Sequence, residues 1–185
     1  MGRSRRPSRG KEIKPTFFVF CEGKTEELYV KYLKSKYRIP IEIDTQVAKN
    51  GITSKYIKGY KNGKFTHKKD KTFLLYDLDA PKMLERLQQI PGTILLASNP
   101  CIELWYLLHL KEQKAEIDCN ACNKEIKKQN GQYSKTKIGE NLKSILDTKY
   151  LKAINRAKKL ETFKNPSSTV YLLIEALEEV KKERA

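Results

Sequence analysis

The sequence predicts an α/β protein: a parallel sheet flanked by helices, with a helical C-terminal extension. Three observations carry this reading. Short apolar runs rich in aromatic and β-branched residues alternate with stretches of helical spacing through the first hundred residues. Their order is strand, helix, strand, short basic connection, strand, helix, strand, the pattern of a parallel sheet. From Cys101 onward only helical patterns remain.

The first strand is "TFFVFC" (16–21), which ends at the Gly turn of "EGKTEE". A helix over 25–37 follows from apolar positions at Leu28, Tyr29, Tyr32 and Leu33, with Thr25 as its cap and Glu26 and Glu27 in its first turn. "IEIDTQV" (41–47) alternates as a strand does. A lysine-rich connection follows, holding at most a short helix near Ser54–Tyr60. "TFLLYD" (72–77) is a buried strand, "APKMLERLQQI" (80–90) a helix with Pro81 in its first turn, and "GTILLAS" (92–98) the next strand. Helices are expected over 101–111, 119–129, 138–147, 149–163 and 167–183, the last opened by a Ser/Thr cap region in "NPSST". The implied units are a basic arm (1–14), an α/β domain (15–112) and a helical extension packed on it (113–185).

With 185 residues, 39% of them hydrophobic and 32% charged, the chain can bury one sizeable core under a heavily charged surface. No apolar run is long enough to span a bilayer, so no membrane partner is expected. "MGRSRRPSRGKEIK" lacks the apolar core of a signal peptide and reads as a disordered basic arm, which places the protein in the cytoplasm. The formal net charge of +16 favours a polyanion, most simply DNA or RNA. The cations cluster in the arm and in "KNGITSKYIKGYKNGKFTHKKDK" (49–71). There Lys55, Lys58, Lys61, Lys64, Lys68 and Lys69 can meet phosphates, and Tyr56, Tyr60 and Phe65 can stack on unpaired bases. Lys24 is a further cation of this kind, beside the Gly turn. The bland alternative is a basic soluble protein without such a partner.

Four cysteines form no secreted disulfide pattern. Cys21 and Cys101 read as small core residues. Cys119 and Cys122 form one CxxC; a zinc site needs four ligands and no second pair stands nearby, so the competing reading is a polar helix start capped by Asp118 or Asn120.

The chemistry lies in the acids. Glu22 follows the first strand, Asp77 and Asp79 follow the third in "YDLDA", and Glu103 follows the fourth in "SNPCIELW". All sit near carboxyl ends of strands, the edge where parallel sheets bind ligands. Carboxylates held together raise each other's pKa unless a cation sits among them. A hard divalent cation, Mg²⁺ or Mn²⁺, meets that need with oxygen ligands, and polarises a phosphoryl oxygen or lowers the pKa of an attacking water; Asp77 and Asp79, two apart in an extended strand, can both reach one metal or a pair. The alternative is that each acid only caps a helix or satisfies a hydrogen bond. Glu103 lies in a nearly continuous apolar helix, where an unpaired charge is expensive.

The glutamate of "CEGKTEE" followed by "DLD" resembles the Toprim arrangement of topoisomerases, primases and old-phage-type nucleases. More closely, "FCEGKTEELYVKYL", "YDLD", "SNPCIELWYLLHL" and "NPSSTVYLLIEAL" resemble the RloB family, over about residues 16–177. The resemblance implies a Toprim-like, Rossmann-type sheet and a metal-dependent nuclease of restriction and phage-defence loci, found beside an ATPase. It implies that Glu22 is a general base or metal-organising acid and that Asp77 and Asp79 ligate the metal, and it matches Glu103 to the glutamate of the family's SNPxxE motif. The SNP turn can bring Glu103 to the first turn of its helix, where it either supports the metal site or caps its own helix. Asn165, Ser167 and Thr169 match a further motif without an assigned role. Tyr133 and Lys135, in "GQYSKTK", match a Tyr-x-Lys pattern in which the lysine can hold the scissile phosphate; the competing reading, and the favoured one, is a solvated surface lysine. Where the family commonly carries an acid after its second Asp, this chain has Ala80. No GxxxxGK[ST] loop is present, so any ATP dependence comes from another chain. Homo-oligomerisation is left open. A non-catalytic nucleic-acid-binding or assembly subunit of a defence complex is the competing function.

Overall fold

The computed structural model describes residues 14–38, 42–80, 82–131 and 133–183. The basic arm and Pro81 therefore lie outside the described residues, apart from Lys14. The elements are β1 (Thr16–Cys21), α1 (Lys24–Lys36), β2 (Glu42–Val47), α2 (Ser54–Lys61), β3 (Lys71–Asp77), α3 (Met83–Gln88) and β4 (Ile94–Asn99), then α4 (Ile102–Leu110), α5 (Cys119–Gln129), α6 (Glu140–Ala157), β5 (Ser167–Ser168) and α7 (Tyr171–Lys182). The sheet order is β2-β1-β3-β4-β5. The first four strands are parallel, and β5 joins the edge antiparallel, with Ser98 opposite Ser168 and Asn99 opposite Ser167.

Both faces of the sheet are covered, which is why its strands read as continuous apolar runs. Successive side chains go to opposite faces. Phe17, Val19, Cys21, Phe73, Leu75 and Leu96 meet α1, α4 and the C-terminal helices in the larger core. Phe18, Phe20, Leu74 and Tyr76 meet Ile57 of α2 and Met83 and Leu87 of α3 on the other face. Helix α4 is buried from Ile102 through His109. Its uniform apolarity follows from that position, packed on all sides. Trp105 donates from Nε1 to the Tyr29 hydroxyl at 2.7 Å, tying α4 to α1.

Four expectations change. Helix α1 is capped at Gly23, not Thr25: Glu26 turns back and its Oε2 accepts the Gly23 N–H at 2.8 Å, the return half of a capping box. The helix expected from residue 80 begins at Met83. Residues 138–147 and 149–163 are not two helices; α6 runs unbroken through Asp147, whose carboxylate is held by the Tyr32 hydroxyl and by Lys36. "NPSST" is not simply a helix cap. Ser167 and Ser168 form β5, and Thr169 Oγ1 both donates to Leu95 O and accepts the Ala97 N–H, so the end of the chain completes the sheet. Among the described residues no helix is long and apolar enough to cross a membrane.

Candidate functional site

Parallel strands deliver their carboxyl ends to one edge, and the first three acids arrive there directly. Glu22 is the residue after β1; its own N–H continues the ladder to Leu75 O, and its Oε2 accepts the Asp77 N–H at 2.9 Å. Asp77 ends β3, and its Oδ1 accepts the Ile102 N–H at 2.8 Å. That bond caps α4 from another strand, since the local N-cap, Cys101, contributes no side-chain bond. Glu103, in the first turn of α4 and 1% exposed, is answered by the Tyr133 hydroxyl at 3.1 Å and the Lys135 ammonium at 3.0 Å. The segment after α5 thus reaches over the carboxyl edge and pairs the charge that looked misplaced in an apolar helix.

Glu26 is the acid that sequence reading placed only in a first helical turn. The capping turn folds its carboxyl inward, and it is buried. The signal was the Gly at position 23 with Glu three residues on, a pattern that directs a carboxylate back to the start of its helix. An added Cβ at Gly23 would stand 3.0 Å from Glu26 Oε2, so a side chain there would push the Glu26 carboxyl out of its capping position.

These carboxyls share one field. Burial pushes Asp77 up to about 9, and Glu26, Glu22 and Glu103 add to the rise. Burial also raises Glu22, opposed by its bond from the Asp77 N–H and assisted by the charge of Asp79. Glu26 is raised by burial and then by Glu22 and Glu103. Asp79 is exposed and stands at the outer side of the cluster, beside Glu22. Among the described residues no group of three or more His, Cys, Asp or Glu side chains converges on one metal position. The donors nonetheless fit a hard cation in kind. Mg²⁺ commonly takes one or two carboxylates and keeps its waters, and Glu22 and Asp77 each have one oxygen outside the hydrogen bonds just described.

The cations divide. Lys24 and Lys135 are at the acid edge, as is Arg86 of α3, which sequence reading missed and whose charge lowers the Glu22 pKa. Lys24 pairs with Glu27 on the surface. Burial alone would lower Lys135, but its ion pair with Glu103 outweighs this and raises it. In the 49–71 segment, Lys55 and Lys58 line the exposed side of α2. Lys61 is turned inward: it donates to Thr72 Oγ1, lies over the Phe18 ring at 4.4 Å, and is lowered by burial. Lys64 pairs with Asp44 and Lys69 with Glu183; Lys68 is exposed. Tyr56 and Tyr60 are not free to stack on bases, because both rings pack edge-on against Phe20. Phe65 is free.

Cys101 meets the CxxC pair, which the sequence keeps apart. The neighbouring Cys122 thiol, burial, Glu103 and Cys119 together raise its thiol strongly. Cys101 and Cys119, whose thiols are both raised, are held as packed thiols and not thiolates. Asp118 Oδ1 accepts the Ala121 N–H at 2.7 Å, so the helix start is capped as the competing reading had it. Asn165 exchanges two hydrogen bonds with the Ile117 backbone, holding the α5 approach against the β5 turn.

Among solved structures, the C-terminal region of the Burkholderia pseudomallei OLD protein is similar at a TM-score of 0.34 and 14% identity, covering 91% of this chain and 98% of that one. No curated protein matches the sequence. The family described as RloB-like protein matches residues 17–177, a span that holds every acid and lysine of the carboxyl edge, and the chain belongs to that family.

Proposed function

We propose that this protein is a Toprim-type nuclease that hydrolyses phosphodiester bonds of DNA or RNA with Mg²⁺ or Mn²⁺, in anti-phage defence, with ATP used by a partner chain. The observation that carries the reading is Asp77. Its carboxyl is fixed at the end of β3 by Ile102 N–H; burial first, and then the charges of Glu26, Glu22 and Glu103, raise it until it holds a proton to about pH 9. Crowded carboxyls with raised pKa values mark a place where a cation would be held with gain. Glu22 and Asp77 would hold the metal, with Asp79 reaching it from the outer side. When bound it polarises the phosphoryl oxygen and acidifies a water. Glu22 would organise the metal or serve as the base for that water, and Lys135 and Arg86 would hold the phosphate. Glu103 keeps Lys135 at the edge, and Tyr133 keeps Glu103 in place. RloB-like membership supports the defence setting and the ATPase partner.

One observation favours the second reading, a non-catalytic nucleic-acid-binding subunit. Glu22, Glu26 and Asp77 each satisfy a backbone N–H, as structural acids do. The test is cleavage of tRNA, plasmid and single-stranded DNA in Mn²⁺, with and without the neighbouring ATPase, by wild type, Glu22→Gln and Asp77→Asn. The nuclease reading expects loss of at least about 100-fold in both variants. Equal cleavage by all three proteins, or none by wild type under any condition, rejects it.

A further inference from the structure

Helix α2 carries the chain from one edge of the sheet to the other. It starts near Ala48, whose N–H bonds Cys21 O at the carboxyl edge, and the loop after it leads into Lys71 at the beginning of β3. Residues 62–70 therefore emerge at the end of the molecule opposite the acids. Strands of six or seven residues set the two edges roughly 20 Å apart.

Phe65 stands there 81% exposed, more than any other large apolar side chain among the described residues. A single exposed ring on its own means little. This one is held out by a braced loop. Gly63, at φ +79°, makes the turn, and Lys64 N–H closes it on Lys61 O at 3.1 Å. On the far side Asp70 accepts the His67 N–H at 2.9 Å and the Thr16 N–H at 2.7 Å, tying the loop to the start of β1. Lys64, Lys68 and Lys69 flank the ring in sequence. Two of them are paired, with Asp44 and Glu183, but these are pairs at the solvent surface, which phosphates can replace. Lys68 has no acidic partner among the described residues. A flat ring flanked by cations matches a base with its neighbouring phosphates. Duplex bases have their faces covered and offer the ring nothing; an unpaired strand offers both groups.

We propose that the amino edge of the sheet binds an unpaired nucleic-acid strand, with Phe65 stacking on a base and Lys64, Lys68 and Lys69 meeting the adjoining phosphates. This contact is separate from the acidic site and does not depend on hydrolysis there.

The test uses the full chain in chelator, so cleavage plays no part and the result stands whichever way the nuclease reading falls. Fluorescence anisotropy with labelled oligothymidylate and with a labelled duplex gives the two affinities. Phe65→Ala is expected to weaken oligothymidylate binding about 10- to 100-fold, the range for loss of one stacked base, and to leave duplex binding nearly unchanged. Phe65→Leu keeps an apolar side chain without a π-face and is expected to behave as Phe65→Ala does. Phe65→Trp is expected to keep the affinity and to be quenched as oligothymidylate is added, against wild type as the control for the fully buried Trp105. Wild-type affinity for oligothymidylate in Phe65→Ala, rescue by Phe65→Leu, or binding without quenching in Phe65→Trp overturns the proposal.

Discussion

Replacing Asp77 by Asn in the metal-free protein should stabilise it at neutral pH. The folded carboxyl holds its proton to about 9, whereas the unfolded chain releases it near 3.8. Below pH 3.8 both states are protonated and the group has no effect. Above it the unfolded state ionises and the folded state does not, so stability falls with rising pH until the folded carboxyl also ionises near 9. At pH 7 the gap is about three pH units, or roughly 4 kcal/mol at 1.36 kcal/mol per unit. Glu22 and Glu26 share the field and can redistribute the proton, so we take about half, ~2 kcal/mol. Asn keeps an oxygen for the Ile102 N–H and has no charge to bury. For a chain of this size ~2 kcal/mol raises Tm by about 4–8 °C. Thermal unfolding of both proteins in chelator from pH 5 to 8.5 should show the difference growing with pH. Adding Mn²⁺ should reverse the order, because metal that binds only the folded state stabilises wild type and has lost a ligand in the variant. If Asp77→Asn is less stable than wild type in chelator at pH 7.5, the carboxyl is a structural cap and the crowding argument fails.

The pairing of Glu103 predicts an asymmetry. Lys135→Ala leaves a buried carboxylate with only the Tyr133 hydroxyl and should cost about 2 kcal/mol in denaturant unfolding, whereas Glu103→Gln removes the charge, keeps the Tyr133 bond and should cost under about 1 kcal/mol. Equal costs would mean that water already screens Glu103. His109 acts on the opposite pH limb from Asp77. Burial, then the charges of Lys36, Arg156 and Lys149, lower it to about 4 even though its Nδ1 is hydrogen-bonded to Trp105 O. The unfolded chain takes up the proton near 6.5, so stability is lost as pH falls from 6.5 to 4, by about 3 kcal/mol. His109→Gln should lack that loss, and an imidazole NMR titration should show His109 neutral at pH 5.

The strands and the edge they share were legible because burial on both faces writes continuous apolar runs, and polar residues at their carboxyl ends mark where the runs stop. Glu22, Asp77 and Glu103 come together as that pattern requires. Glu26 was hidden because a first-turn glutamate ordinarily faces water, and only the turn at Gly23 brings it inward. Two residues of β5 carry no periodicity to detect, and Ser167–Ser168 become a strand only because Ser98 and Asn99 offer an open edge. Asp147 and Thr148 look like a helix break; Tyr32 and Lys36, more than a hundred residues earlier, make Asp147 a tertiary contact inside α6. Cys101 joins Cys119 and Cys122 through the packing of α4 on α5, which no spacing announces.

The lysines of 49–71 teach a different point, since their division between two edges could have been derived. A crossover helix between parallel strands must return the chain to the edge where the next strand starts. Whatever follows α2 therefore lies opposite the carboxyl ends, and Lys64, Lys68 and Lys69 cannot serve the acids that Lys24, Arg86 and Lys135 accompany. Net charge hides this, because it sums over both edges. Salt-sensitive binding of nucleic acid should survive loss of the acidic site, while Glu22→Gln and Asp77→Asn separate binding from cleavage. A strand held at Phe65 must also cross roughly 20 Å of protein to reach Asp77. A single strand engaged at both places must run along the exposed face of α2, past Lys58 and Lys55, which gives those two exposed lysines a role that neither edge alone requires.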